Sequence, residues 1–147
     1  VAFVMDTDTF SLAVRGNETV AERITEFDGL VYLSPVTIRE VLKGALAAIA
    51  DAESPNPRFP HVSVADTYDL LLGLVAQIAR YPALPYTDSA EAVWNSLPKS
   101  VQRMAPRDCR IAANAVAGGM IVVTANTRHF EKIAESLPEL RIVNWRV

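Results

Sequence analysis

Short apolar runs, each closed by polar residues and separated from the next by a stretch of helical character, set the main constraint on this chain. Ala2–Met5 runs into Asp6-Thr7-Asp8, Leu30–Leu33 into Ser34-Pro35, and Met120–Thr124 toward Asn126. Runs this brief suit strands buried on both faces, which is the condition of a parallel sheet, and parallel neighbours need long crossovers between them. The intervening segments supply those crossovers. A brief helix is expected over Thr9–Val14, and a second one capped by Asn17 runs to about Phe27. Ser34 and Pro35, a cap and a first-turn proline, open a helix reaching Ala50. Ser63-Val64-Ala65-Asp66 has capping-box spacing, with Asp in place of Glu, and opens an apolar helix to Arg80. Ala83–Tyr86 reads as a third short strand. Asp88 caps the next helix, which Pro98 interrupts or ends. Helices follow over Asp108–Ala117, stopped by Gly118-Gly119, and over Thr127–Leu137, and Leu140–Asn144 is a final strand. The reading is an α/β chain, an α/β/α sandwich on a mostly parallel sheet of about five strands with right-handed crossovers.

The 147 residues make one domain, 1–147, large enough to bury a core without staples. Residues 51–60 hold three prolines and form the clearest loop, too short to be a domain linker. The lone cysteine, Cys109, excludes an internal disulfide and a Cys-rich zinc site. No apolar run approaches the roughly 20 residues that span a bilayer, and no charged-then-apolar leader opens the chain, so a cytoplasmic protein away from membranes is expected. A net charge of −3 does not mark a general nucleic-acid binder. That charge is misleading if several acids gather around a metal ion, which itself supplies local positive charge.

In open parallel sheets, ligands bind beyond the carboxyl ends of the strands, where strand order reverses. Asp6 and Asp8 fall just past the first strand, and Thr124 and Asn126 just past the strand over Met120–Thr124. Asp108 opens the helix before that strand, and Glu40 lies about one and a half turns into the helix after the second. Carboxylates from distant parts of the chain can therefore meet at one sheet edge. Gathered acids repel and raise one another's pKa, a penalty that a hard divalent cation with oxygen ligands removes. No His or Cys cluster competes for a softer metal. Such an ion can activate water and neutralise charge on a phosphate.

At these residues the chain resembles a known family. Phe3-Val4-Met5-Asp6-Thr7-Asp8-Thr9, Ser34 to Gly44 around Glu40, Asp108-Cys109-Arg110-Ile111-Ala112-Ala113-Asn114-Ala115, Val122 to Phe130, and Val143-Asn144-Trp145 are similar, in order and spacing, to the motifs of PIN-domain ribonucleases of the VapC toxin type. The resemblance implies a PIN-like sandwich and Mg²⁺- or Mn²⁺-dependent cleavage of RNA. It places metal ligands at Asp6, Glu40 and Asp108, with Thr124 and Asn126 assisting catalysis. It also implies a homodimer and a cognate VapB-like antitoxin that occludes the site. Asn126 departs from the Asp common at that position, and His129 stands where some relatives carry another Asp; it is given no role.

Each residue also has a plainer reading. Asp6 and Asp8 can end a strand, Asp108 can favour a helix dipole, Glu40 can be a solvated surface acid, and Thr124 and Asn126 can be a strand end and a turn. Arg39, Lys43, Arg107, Arg110 and Arg128 are candidates for phosphate contacts, but each alone is an ordinary surface charge. Trp94 and Trp145 read as packing residues. Asp6-Thr7-Asp8 also resembles the Asp-x-Asp of haloacid-dehalogenase phosphatases, but Phe10 stands where they need Thr or Val. A response-regulator receiver would need a phosphorylatable Asp where Tyr86-Thr87 stand. The alternative from another class is a PIN-like RNA-binding or protein-interaction module whose catalysis has decayed, suggested by Asn126 and His129.

Overall fold

The computed structural model describes residues 1–147. Its elements are β1 (Phe3–Met5), α1 (Thr7–Val14), α2 (Glu18–Glu26), β2 (Val31–Leu33), α3 (Pro35–Glu53), α4 (Val64–Ile78), α5 (Asp88–Ser96), α6 (Lys99–Met104), α7 (Pro106–Gly118), β3 (Ile121–Val123), α8 (Thr127–Ala134) and β4 (Ile142–Val143). The four strands form one parallel sheet in the order β2-β1-β3-β4. The chain leaves β1 toward one edge for β2 and returns to the other side for β3 and β4. The switch point therefore lies between β1 and β3, whose register pairs Met5 with Val123.

Each strand sends alternate side chains to opposite faces, and each face has its own core. Phe3, Met5, Val31, Leu33 and Val123 join Phe10, Val20 and Trp145 on one side. Val4 and Val122 join residues of α6, α7 and α8, including Ile111, Ala112, Ala115, Phe130 and Ile133, on the other. Trp145 is 3 % exposed. It stacks on Phe27 at 5.9 Å and tilts against Phe3 at 5.0 Å. Trp94 lies beneath the Arg110 guanidinium, 4.1 Å from it. Both tryptophans are packing residues.

Local chemistry explains most element starts. The side chains of Asn17, Ser34 and Ser63 accept from the backbone N–H groups of Val20, Val36 and Asp66, closing the first turns of α2, α3 and α4. α7 ends at Gly119, whose φ of 67° is left-handed and favours glycine.

Three expectations need correction. The strand expected over Ala83–Tyr86 does not form, so the sheet has four strands and not five. Only one parallel bridge, Leu33 to Ala83, extends it beyond β2. Leu33 N–H donates to the Pro82 carbonyl at 3.0 Å and Leu84 N–H to the Leu33 carbonyl at 2.8 Å. The prolines explain the stop: Pro85 has no N–H to continue a ladder, and Pro82 has none to begin one. Second, Thr87 and not Asp88 caps α5, its hydroxyl accepting from Ala90 N–H. Third, Asp108 does not open its helix. Pro106 takes the first helical position, which needs no N–H, and places Asp108 two residues further in, still within the first turn.

Candidate active site

The carboxyl edge of the sheet holds the acids. Asp6 follows β1 directly, its backbone extended (φ −74°, ψ 174°), and its side chain caps α1 by accepting from Thr9 N–H at 2.8 Å. The residue is only 2 % exposed. Burial pushes its pKa up, while the Thr124 hydroxyl and the groups of Thr9 beside it hold it down; Asp8 adds to the rise. Asp6 therefore meets two demands, a helix cap and a charge kept in a poorly solvated place.

Glu40 comes in from α3. Its carboxylate accepts from the Thr7 hydroxyl at 2.7 Å and pairs with Arg107 at 2.9 Å. The Thr37 hydroxyl lies 3.4 Å from that of Thr7. Because Thr7 has one proton and gives it to Glu40, Thr37 is the donor in that second contact. Asp108 comes from the first turn of α7 and lies 3.0 Å from His129 Nδ1. Its pKa is raised by burial, lowered by the contact with His129, and raised by the nearby charges of Asp8 and Glu40. Charges that act on one another in this way belong to one site.

Asp6, Asp8, Glu40, Asp108, Asn126 and His129 line a cleft of about 270 Å³. Of the residues singled out in the sequence, Asp6, Asp8, Glu40, Asp108 and Asn126 reach its wall and Thr124 does not. Thr124 is fully buried, acts on Asp6 from beneath, and accepts from Asn126 N–H at 2.8 Å. Its place is that of a support for Asp6 and for the turn carrying Asn126. The Asn126 amide lies 2.9 Å from His129 Nδ1. That nitrogen cannot accept from the amide and also donate to Asp108 in one tautomer, so the contacts compete.

Thr7 and His129 have no role assigned from the sequence, and Arg107 reads there as a candidate phosphate contact and not as the partner of Glu40. Thr7 stands between two candidate acids, Arg107 precedes a third, and His129 lies one helical turn after Asn126. In each case the partner is distant in sequence or lies on another element, so no local pattern shows the contact.

A second, larger groove of about 650 Å³ adjoins the cleft and shares Glu40, Pro106 and Arg107 with it. Arg39, Lys43 and Arg110 give it a basic lining, which Tyr86 and Glu91 share. Arg110 is engaged by Glu91 at 2.7 Å and the Tyr86 hydroxyl at 2.9 Å. Arg128 lines neither depression.

The donor set at the cleft is made of carboxylate and amide oxygens, which suits a hard divalent cation. As the side chains stand, no three acids converge on one point. The reason is visible: Glu40 is turned to Thr7 and Arg107, and Asp108 to His129, so two of the carboxylates are engaged by the protein's own side chains. The residues fit such an ion in chemistry, and reaching it requires those two side chains to exchange partners.

The short parallel sheet, the 2-1-3-4 strand order and the acids gathered at its switch point give a PIN-like α/β/α fold. No protein-family model matches the chain. It is 26 % identical over 148 residues to the tRNA(fMet)-specific endonuclease VapC of Salmonella typhimurium, covering 97 % of each protein. Among solved structures it matches a chain of the DNA-bound VapBC complex from Salmonella typhimurium, with 25 % identity, a TM-score of 0.72 and coverage of 99 % and 98 % of the two chains. It also matches a chain of VapBC-1 from nontypeable Haemophilus influenzae, with 16 % identity, a TM-score of 0.70 and full coverage of both, a likeness that shows the fold alone. The chain is thus similar to VapC endonucleases over nearly its whole length.

Proposed function

We propose that this protein is a metal-dependent endoribonuclease acting as the toxin of a type II toxin–antitoxin pair. The observation that carries the reading is the convergence of Asp6, Asp8, Glu40 and Asp108 on one cleft beside a basic groove, in a chain similar to VapC endonucleases from end to end. A divalent Mg²⁺ or Mn²⁺ ion held by Asp6, Glu40 and Asp108 supplies the positive charge that a phosphodiester under attack requires. Thr124 supports Asp6 at the cleft, and the Thr7 hydroxyl holds one oxygen of Glu40 beside it. Asn126 is placed to orient a water through its amide, and the basic groove is placed to receive the flanking phosphates of a single strand.

The antitoxin is the expected partner, since the solved relatives are VapBC complexes. A homodimer is expected as well, and the VapC relative named for tRNA(fMet) makes tRNA the first substrate to try. No helix is long and apolar enough to cross a membrane. The direct test is cleavage of an RNA panel containing tRNA, ribosomal and messenger RNA by purified protein in Mg²⁺, Mn²⁺ or chelator. Cutting should require the metal and fall at least a hundredfold in Asp108→Asn. Metal-independent cutting would overturn the mechanism. Folded, antitoxin-free protein that binds RNA yet cuts none of the panel would favour the non-catalytic binding module.

A further inference from the structure

Arg107 stands on the wall common to the acidic cleft and the basic groove. Its guanidinium lies 2.9 Å from Glu40, while 67 % of its side chain is exposed. Little packing fixes it, so the charge of Glu40 decides where the guanidinium rests. The other cations of the groove are placed differently. Arg110 is tied to Glu91 and Tyr86 and lies over Trp94. Arg39 and Lys43 pair with no carboxylate. Arg107 alone is a cation of the groove held by an acid of the cleft.

An ion pair this exposed is weak. A divalent cation brings twice the charge to the same carboxylate, and Glu40 cannot serve both fully. Displaced from Glu40, the guanidinium already borders the groove where Arg39 and Lys43 lie. Its planar fork is suited to phosphate oxygens.

We propose that Arg107 is a two-position phosphate-binding residue, the counter-ion of Glu40 without metal and a ligand of a substrate phosphate in the basic groove once a divalent cation takes Glu40. The inference rests on the nuclease reading above. It couples the two binding events: the cation frees Arg107 for RNA, and RNA that holds Arg107 leaves Glu40 open to the cation. Such coupling is reciprocal by linkage.

The test begins with Mn²⁺ binding to the full chain without RNA, followed by the electron paramagnetic resonance signal of free Mn²⁺ at fixed pH and ionic strength. Arg107→Gln should bind Mn²⁺ more tightly than wild type, by up to about fivefold, the size of an exposed ion pair. Arg107→Lys, which keeps the charge, should stay near wild type, and Glu40→Gln should bind more weakly. In RNA cleavage, Arg107→Gln should raise KM several-fold with kcat within about twofold, and should lower the salt slope of RNA binding by roughly one. A site that merely loses structure would not gain metal affinity. Unchanged or weaker Mn²⁺ binding in Arg107→Gln, with binding still dependent on Glu40, would overturn the inference and leave the nuclease reading standing. An unchanged KM would overturn the phosphate contact, and a wild type that binds no Mn²⁺ would overturn both readings.

Discussion

Asp6 shows at the scale of one residue how the site conflicts with stability. Its carboxylate is buried, and burial raises its pKa above the ordinary value, so the charge costs more in the folded chain than in the unfolded one. The sign follows. Protonated Asp6 carries no such penalty, and stability from this group is lost as pH rises through its folded pKa. Asp6→Asn retains a side-chain oxygen for the cap on Thr9 N–H and removes the charge. At pH 7 it should melt higher than wild type by roughly 2–4 °C, the shift that about 1 kcal/mol produces at this length, while RNA cleavage disappears. Below about pH 4, near the unfolded Asp value, the difference should vanish. Thermal melts of both proteins across that range check it, and a lower melting point at neutral pH would show that the cap needs the charge. Cys109 is a simpler case. It is fully buried and its thiol, pushed up to about 11 by desolvation and by Asp108, lies 3.3 Å from the Val101 carbonyl. A disulfide reagent at pH 8 should leave the native chain unmodified and titrate one thiol after denaturation.

Among the elements, caps and stops explain where helices begin and end, and their energies are testable one at a time. Gly119 ends α7 in the left-handed region with open space around it, so a methyl group there meets no neighbour and only the backbone is strained. Gly119→Ala should cost about 1 kcal/mol, seen as a lower denaturation midpoint with an unchanged m-value. Gly118 differs: a Cβ there would lie 2.9 Å from a terminal methyl of Leu84 and would crowd the side chain that follows the Ala83 bridge. The end of α7 thus seats the segment that lies beside β2.

The whole molecule is arranged around one switch point. β1 and β3 are neighbours in the sheet although their paired positions, Phe3 with Ile121 and Met5 with Val123, lie 118 positions apart in the chain. That pairing brings Asp6 and Thr124 together, and helices α3 and α7 then carry Glu40 and Asp108 to the same edge. The outside of the molecule also carries information. On α4, Tyr68, Leu72 and Val75 share one face and are 47 %, 69 % and 49 % exposed. An apolar stripe of this kind is where a second copy is expected to pack, in line with the proposed homodimer. Light scattering should show a dimer for wild type and a folded monomer for Leu72→Asp/Val75→Asp. A monomeric wild type would remove α4 from the assembly.

Much of this was readable from the residues in order. Apolar runs ending in acids identified β1, β2 and β3, and Asn17, Ser34 and Ser63 announced their helices, because strand burial and capping depend on neighbours a few positions away. Asp6 and Asp108 stood out by their places at a strand end and near a helix start, and Glu40 by the resemblance of the segment around it to PIN-domain motifs. The sheet's shortfall beside Ala83 was also written in Pro82 and Pro85, though the apolar pattern outweighed it. Other features depend on long-range closure. The Thr7–Glu40, Arg107–Glu40 and His129–Asp108 contacts span 33, 67 and 21 positions, and no local periodicity encodes which side chains meet across such distances. Thr124's retreat from the cleft wall is of the same kind: its position after β3 is a matter of chain order, but its burial beneath Asp6 exists only once β1 and β3 lie side by side.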